Sequence, residues 1–438
     1  MKRAAALTFL MILLITFTAP LATAGEVDIL IKKLVERGIL TQSDAEELKK
    51  EIRKEPAKEK AEREHATKEL AAETAKEVST KEAKASISKL PKWVQNTKVK
   101  GDLRLRYQNE NRDGDSNPRR ERGRFRLRVG IETEVNEQWA VGFGISSGGD
   151  DPRSTNQTLE DTFSSPDLRI DYAYARYSPF EWVDLLGGKF KNPIWKPKDL
   201  LWDSDIRPEG LAAPLEFDIH PDVELFLTPA FFILEEFKEK KGDPWMFAFQ
   251  SGIKWKITDS VNFKLAGAYY VFHDVAGNSF DFSETTNSPA GSKTIANDPD
   301  AIAAGAELGF KFDGPIPYFG LFGELVKALG VDEDKSEDNK EDDLGYLVGF
   351  KFGHKEVEKF GQWQAKYNYR RLERDAWPDF LPDSDFYGGE TNAKGHEAEF
   401  VFGLAKNVTI GADYYKAENI RGDEQEEDVL QIDLILKF

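Results

Sequence analysis

Residues 428–438 read DVLQIDLILKF. Leu430, Ile432, Leu434, Leu436 and Phe438 fall at every second position, with Gln431, Asp433 and Lys437 among the residues between them. A period of two is a strand with one apolar and one wet face. Chain termini are ordinarily polar and frayed, so a strand that stays apolar to its last residue needs an apolar medium on one side. The same alternation recurs upstream. KVKGDLRLRY sets Val99, Leu103, Leu105 and Tyr107 against Lys98, Lys100, Asp102, Arg104 and Arg106. RFRLRVGIE sets Phe125, Leu127, Val129 and Ile131 against Arg124, Arg126, Arg128 and Glu132. QWQAKYNYR sets Trp363, Ala365, Tyr367 and Tyr369 against Gln364, Lys366, Asn368 and Arg370.

Sixteen such segments can be placed between residues 97 and 438. The sixth, 209–218, contains Pro214, which a paired strand tolerates poorly. The connections alternate. Short ones lie near Asn136, Ser178, His220, Thr258, Asp313 and Ala405, and a medium one near His354. Long ones occupy 149–167, 192–208, 274–299, 329–342 and 372–393. An even number of antiparallel strands, with short turns on one rim and long loops on the other, is the layout of a transmembrane β-barrel. The expected fold is therefore all-β, a sixteen-stranded antiparallel barrel over 91–438. Such a barrel pairs its last strand with its first and leaves no edge. That accounts for 428–438: its apolar side faces lipid, and Phe438 falls in the aromatic girdle of the short-turn rim. Trp139, Trp182, Trp255, Phe312, Tyr318 and Phe360 stand beside short turns and are expected in the same girdle. A secreted sandwich or solenoid would bury those faces, but it does not predict alternating loop lengths.

The bulk properties agree. Over 438 residues the formal net charge is −18, which argues against nucleic-acid binding, since phosphate neutralisation needs a basic footprint. The mean hydropathy of −0.54 argues against a helical membrane protein and is ordinary for a barrel with alternating faces. The absence of cysteine excludes a disulfide framework and thiolate metal sites. At the start, Lys2 and Arg3 precede an apolar run from Ala4 to Thr18, then Pro20 and the small-x-small triplet Ala22-Thr23-Ala24. This reads as a secretory signal over 1–24, too short for a comfortable spanning helix.

Residues 25–90 form a segment rich in alanine, lysine and glutamate, expected to be a helical arm in the periplasm. Gly38 supplies a stop signal, and Thr41 three before Asp44 resembles a capping box. Over 57–89 the apolar face is thin, and two readings stand: a self-associating coiled coil, or a solvated spacer.

LVERGILTQSDAEEL (Leu34–Leu48), GGKFKNPIWKPKDLLWDSDIRPEGLA (Gly187–Ala212), the layout and the terminal phenylalanine together resemble the Gram-negative outer-membrane porins, and more narrowly the "putative porin" family. The chain departs from that family's pattern in the long stretch 57–89. The resemblance implies an outer-membrane location and a water-filled channel for passive diffusion of small hydrophilic solutes and ions, without cofactor or metal. It also implies a homotrimer in contact with lipid and lipopolysaccharide, and Phe438 as the signal read by the barrel-assembly machinery. An arm that grips the cell wall, making the protein a structural tether, is an alternative, as is a channel selective for anions or sugars.

By the same resemblance, the long connection after the fifth strand folds inward as the constriction. Here it offers Trp195, Lys196, Lys198, Asp199, Trp202, Asp203, Asp205 and Arg207. The tryptophans either stack on sugars or pin the loop by burial. Independently of the resemblance, alternation places Arg104, Arg106, Arg124, Arg126 and Arg128 on the lumen side of the first two strands. Like charges side by side cost energy unless water, acids or solute anions compensate them. They form either an anion-attracting stripe or a wet wall faced by acids such as Asp102 and Asp171. Against the stripe stands the segment 331–343, with eight acids and two lysines, which repels anions or binds divalent ions. No HExxH, GxSxG or Walker pattern accompanies the five histidines, so an enzyme is not expected. His396 beside Glu397 and Glu399 reads as strand decoration.

Overall fold

The alternating segments close on themselves in the computed structural model, which describes residues 32–33, 35–36, 41–46, 50, 90–114, 119–238, 242–331 and 342–438. The strands are β1 Thr97–Arg112, β2 Arg119–Glu134, β3 Trp139–Ser146, β4 Arg169–Phe180, β5 Val183–Lys189, β6 Glu209–Ala212 continued by Leu215–His220, β7 Val223–Ile233 and β8 Trp245–Lys256. There follow β9 Val261–His273, β10 Ala301–Lys311, β11 Tyr318–Ala328, β12 Leu344–Gly353, β13 Trp363–Leu372, β14 Ala393–Ala405, β15 Val408–Asn419 and β16 Glu426–Lys437. Each pairs antiparallel with its neighbours in the chain, and β1 pairs with both β2 and β16. Leu103 faces Leu127 on one side and Leu436 on the other. A two-residue strand, Gln157–Thr158, adds to the long-loop end of β2. Pro214 has the expected consequence: β6 is split around residues 213–214.

Alternation sets the two faces. Val99, Leu105, Tyr107, Ile131, Phe143 and Leu430 are exposed on the outside, whereas Arg104, Arg106, Gln108, Arg126, Gln431 and Asp433 are buried inside. Trp139, Trp182, Trp255, Phe312 and Phe360 are exposed beside their short turns. Tyr318 is not part of that girdle. It is 4 % exposed, and its register partners Lys311 and Gly353 put it on the lumen side. Its hydroxyl donates to Glu307 at 3.3 Å, and the outward residue is its neighbour Phe319.

Phe438 completes the closure. Its N–H donates to the Gly101 carbonyl at 2.9 Å, and its own carbonyl accepts from the Gly101 N–H at 2.8 Å. The ring lies over Gly101, where a Cβ would run into it. The same device recurs inside, where Tyr172 lies flat over Gly130 and Gly144; a bare backbone leaves room for an aromatic plate on the wall.

The interior is not uniformly polar. An apolar core forms within the barrel, from the inner wall and three long loops: Leu200, Leu201, Trp202 and Ile206; Val275, Phe280 and Ile295; Trp377, Phe380 and Leu381. These loops carry apolar side chains because part of the lumen is packed rather than wet.

The N-terminal unit, 1–90, is separate from the barrel unit, 91–438. Within it Thr41 and Asp44 make the reciprocal cap: the Thr41 hydroxyl donates to Asp44 Oδ2 at 2.6 Å, and the Asp44 N–H donates to Thr41 Oγ1 at 3.3 Å. The signal segment 1–24 and the coiled-coil or spacer segment 57–89 lie outside the described residues.

Candidate functional site in the barrel lumen

The arginines expected on the lumen wall stand opposite one another by register: Arg104 faces Arg126, Arg106 faces Arg124, and Arg128 faces Asp102. Like charges directly across a strand pair repel, and carboxylates compensate them. Asp102 accepts from Arg126 at 2.8 Å and from Arg128 at 2.9 Å. Asp433 of β16 holds Arg106 at 2.7 Å and lies 3.6 Å from Arg104. Arg104 also donates to Asn156, and Arg122 pairs with Glu110. Arg124 donates to Gln108 at 3.1 Å; among the described residues it has no carboxylate within ion-pair distance. The wall is thus a buried, largely neutralised ladder rather than an open stripe, and Asp102 is among the acids that face it. Asp171 instead lies 3.4 Å from Arg207.

The connection between β5 and β6 traverses the lumen. In chain order, the Trp195 N–H donates to Gln250 of β8 at 2.8 Å, and the Lys198 N–H donates to Glu324 of β11. Asp199 pairs with Arg370 of β13 at 2.9 Å, and Lys198 with Glu397 of β14 at 2.9 Å. The segment then crosses to β2, where Asp205 meets Arg128 at 2.9 Å, and to β4 through Arg207. Trp202 is 2 % exposed, edge-on to Phe232 and Trp377 with centroids 6.0 and 6.1 Å away. It pins the loop by burial. The Trp195 ring is covered by the Lys264 ammonium at 4.4 Å, a cation–π contact. Lys196 reaches back to the Trp202 carbonyl.

A second loop, between β13 and β14, belongs to the same site and was missed in the sequence. Its Asp383-Ser384-Asp385 repeats Asp203-Ser204-Asp205. In each copy the N–H of the second aspartate donates to Oδ1 of the first, at 2.7 and 3.1 Å, the local turn that aspartate favours. In each copy the second aspartate reaches the arginine ladder, Asp205 to Arg128 and Asp385 to Arg106, both at 2.9 Å. The copies also join: Ser384 donates its N–H at 2.9 Å and its hydroxyl at 3.1 Å to Asp203. The Trp377 indole donates to the Leu201 carbonyl at 2.7 Å. The repeated triplet was the available signal; its meaning needs two loops brought together. The two loops form a septum fixed to the walls on opposite sides.

Burial and neighbours divide the septum's carboxyls into two kinds. Burial opposes ionisation of Asp199, but Lys198 and Arg370 outweigh it and hold the carboxyl well below its usual range. Asp385 is likewise held down against burial by Arg106 and Arg104, and Asp205 by Arg128 and Arg126. Asp203 goes the other way, pushed up to about 7 by burial and the adjacent Asp205. Asp383 is also raised, by burial and by Asp199, although Arg370 opposes this.

Asp199, Asp383 and Glu397 approach closely enough to ligate an ion, but Arg370 and Lys198 already occupy the space between them as counter-charges. The Glu397, Glu399 and Asp413 group is similarly engaged by Lys366 at 2.7 Å from Glu399. His396 stands apart from these acids, its Nδ1 sharing a hydrogen bond with the Tyr367 hydroxyl at 2.7 Å. Two lumen cavities flank the septum. One of about 550 Å³ lies at the short-turn end, among Lys254, Lys264, Lys351, Glu224 and Glu307. The other, of about 210 Å³, lies at the long-loop end against the arginine ladder.

A family profile described as "Putative porin" matches residues 114–308 and 293–438. No curated protein sequence matches. Among solved structures, OprB of Pseudomonas putida at high pH is 11 % identical, with 78 % of this chain and 94 % of that one covered and a TM-score of 0.50. The outer membrane channel DcaP of Acinetobacter baumannii is 13 % identical, with 78 % and 97 % covered and a TM-score of 0.46. A double mutant of the Rh. blastica porin is 13 % identical, with 78 % and 100 % covered and a TM-score of 0.43. At 11 % identity the likeness to OprB speaks to fold alone.

Proposed function

The chain belongs to the "putative porin" family and is an outer-membrane channel, and from that premise we propose that it passes small hydrophilic solutes and ions passively through a lumen narrowed by its own loops. One observation carries the reading: a closed barrel lined with ionised side chains, crossed by a septum tied to the wall by ion pairs. A lumen of fixed charges with water-accessible cavities on both sides of a constriction suits polar solutes and discriminates among them by size and charge. Arginines line β1–β2, and Glu397 and Glu399 with Lys366 and Arg370 line β13–β14 about a quarter-turn away round the barrel, so a solute meets fixed charges of both signs. The family profile supports a channel rather than an enzyme.

The septum favours a second reading within the same class, a channel selective for particular solutes rather than a general sieve. Secretion through a cleaved signal over 1–24, a periplasmic arm over 25–90 and a homotrimer are part of the proposal. Crosslinking in mild detergent tests the trimer, and monomer alone would refute it. The test of function is single-channel current in a planar bilayer, with the reversal potential under a KCl gradient. Stepwise conductance supports the channel, and the sign of the potential tells whether arginines or carboxylates govern ion choice. Insertion without current refutes passive diffusion.

A further inference from the structure

Lys264 of β9 stands in the lumen wall at the short-turn end, in a row of charges set by strand register. Glu224 faces Lys254, Lys254 faces Lys264, and Lys264 faces Glu307. Two lysines directly opposite each other repel, and Lys254 is relieved by Glu216 at 2.9 Å and Glu224 at 2.5 Å. Glu307 is drawn the other way, to Lys351 at 2.8 Å and the Tyr318 hydroxyl at 3.3 Å. The cluster is balanced as a whole, Lys254, Lys264 and Lys351 against Glu216, Glu224 and Glu307, but its charges are unevenly shared. The carboxylates serve Lys254 and Lys351, and among the described residues Lys264 has none within ion-pair distance.

The Lys264 ammonium lies against ring faces instead, 4.4 Å from the Trp195 centroid and 4.9 Å from that of Phe226. A ring attracts a cation but takes up little of its hydrogen-bonding capacity. The N–H donors have no protein acceptor among the described residues, and Lys264 lines the cavity of about 550 Å³ at this end of the barrel. At roughly 30 Å³ per water the space holds about eighteen waters, so a small ion beside Lys264 keeps part of its hydration and is free to leave. The cavity's other charges, Asp218, Asp222 and Glu356 with Lys256 and Lys355, lie in or beside the short turns, where water screens them.

We propose that Lys264 is a docking point for one small monovalent anion, a carboxylate or a halide, in the short-turn half of the lumen, and that Trp195 senses its occupancy. The inference rests on the channel reading, because an anion reaches Lys264 only through the lumen. One negative charge matches the one unpaired ammonium. A second would face Glu224 and Glu307 on either side, so dianions are disfavoured. An anion that draws the ammonium toward the cavity also weakens its hold on the Trp195 ring, the contact that ties the start of the septum to β9.

The test is tryptophan emission, paired with isothermal titration, of the full-length protein in detergent with sodium acetate, sodium chloride and sodium succinate. A saturable emission change is expected with acetate or chloride, at a concentration about tenfold below that for succinate; which of the two saturates first tells organic acid from halide. Lys264→Met, which keeps an apolar stem on the rings, is expected to abolish the change and weaken the heat-detected binding about tenfold or more. Lys264→Arg, which keeps the charge, is expected to retain both. Trp195→Phe is expected to silence the emission change. Succinate binding as tightly as the monoanions overturns the proposal, as do binding unaltered in Lys264→Met, an emission change that persists in Trp195→Phe, or no saturable response from the wild type. Retained heat-resistant mobility in electrophoresis verifies folding of each variant. Bilayer current separates the two readings: binding without conduction refutes the diffusion channel, and conduction without binding refutes this site.

Discussion

Replacing Arg370 with methionine removes the hub of the septum while keeping most of its bulk. Arg370 is 3 % exposed and contacts Asp199 at 2.9 Å, Asp383 at 3.3 Å and Glu397. Lys198 still serves Asp199 and Glu397, so Asp383 is the residue left without a cation. Taking one partner from a buried ion pair costs about 3–5 kcal/mol. Asp383 has a partial escape, since burial and Asp199 already raise its pKa and favour the neutral acid. The lower end, about 3 kcal/mol, is therefore expected at neutral pH, and at 1.4 kcal/mol per decade this shifts the septum from docked toward released roughly a hundredfold. In single-channel recordings Arg370→Met should open larger steps or flicker between two levels. Lys351→Met is the control: it removes an equal lumen charge, paired with Glu307 at 2.8 Å at the far end of the barrel, and should shift conductance without flicker. Steady, wild-type steps from Arg370→Met would show that the septum is not held by this hub.

Three further outcomes follow from other contacts. Asp203, raised to about 7 while docked, binds its proton more tightly there than when solvated near 3.8. Docking is therefore favoured at pH 5 and weakens as pH rises to 7; conductance should rise over that interval, and Asp203→Asn should flatten the rise, an unchanged slope counting against it. Trp202→Ala empties a buried site beside Phe232 and Trp377 and should cost the loop about 3–5 kcal/mol, read as cleavage of the 192–208 segment by added protease; continued resistance contradicts the pinning role. Gly101→Val places a side chain where the Phe438 ring lies and should lower the unfolding temperature seen by heat-shifted electrophoresis, with overpacking worth about 1–3 kcal/mol; an unshifted transition would mean the ring is not a lock.

The wall was legible because alternation is local: each strand of QWQAKYNYR or RFRLRVGIE declares its faces within a few residues. Tyr318 was misread because a residue at a strand end can take either parity, and only its pairing with Lys311 and Gly353 settles the matter. The septum was partly legible. Its lysines and aspartates were on view between β5 and β6, but their partners Arg128, Arg370 and Glu397 are far along the chain. The loop core was hidden for a different reason: Val275, Phe280, Trp377 and Leu381 show no period, so their burial depends on three loops meeting.

The paired aspartate turns have a mechanical corollary. A cylinder of hydrogen-bonded strands resists stretching along its seam but bends easily in cross-section, because nothing inside opposes flattening. Here Asp205 and Asp385 are bolted to the β1–β2 wall, while Asp199 and Asp383 are bolted to Arg370 on β13, and Ser384 ties one loop to the other. The septum is then a strut as well as a partition. It sets the roundness of the tube, and any solute that loosens it to pass also softens the wall around itself.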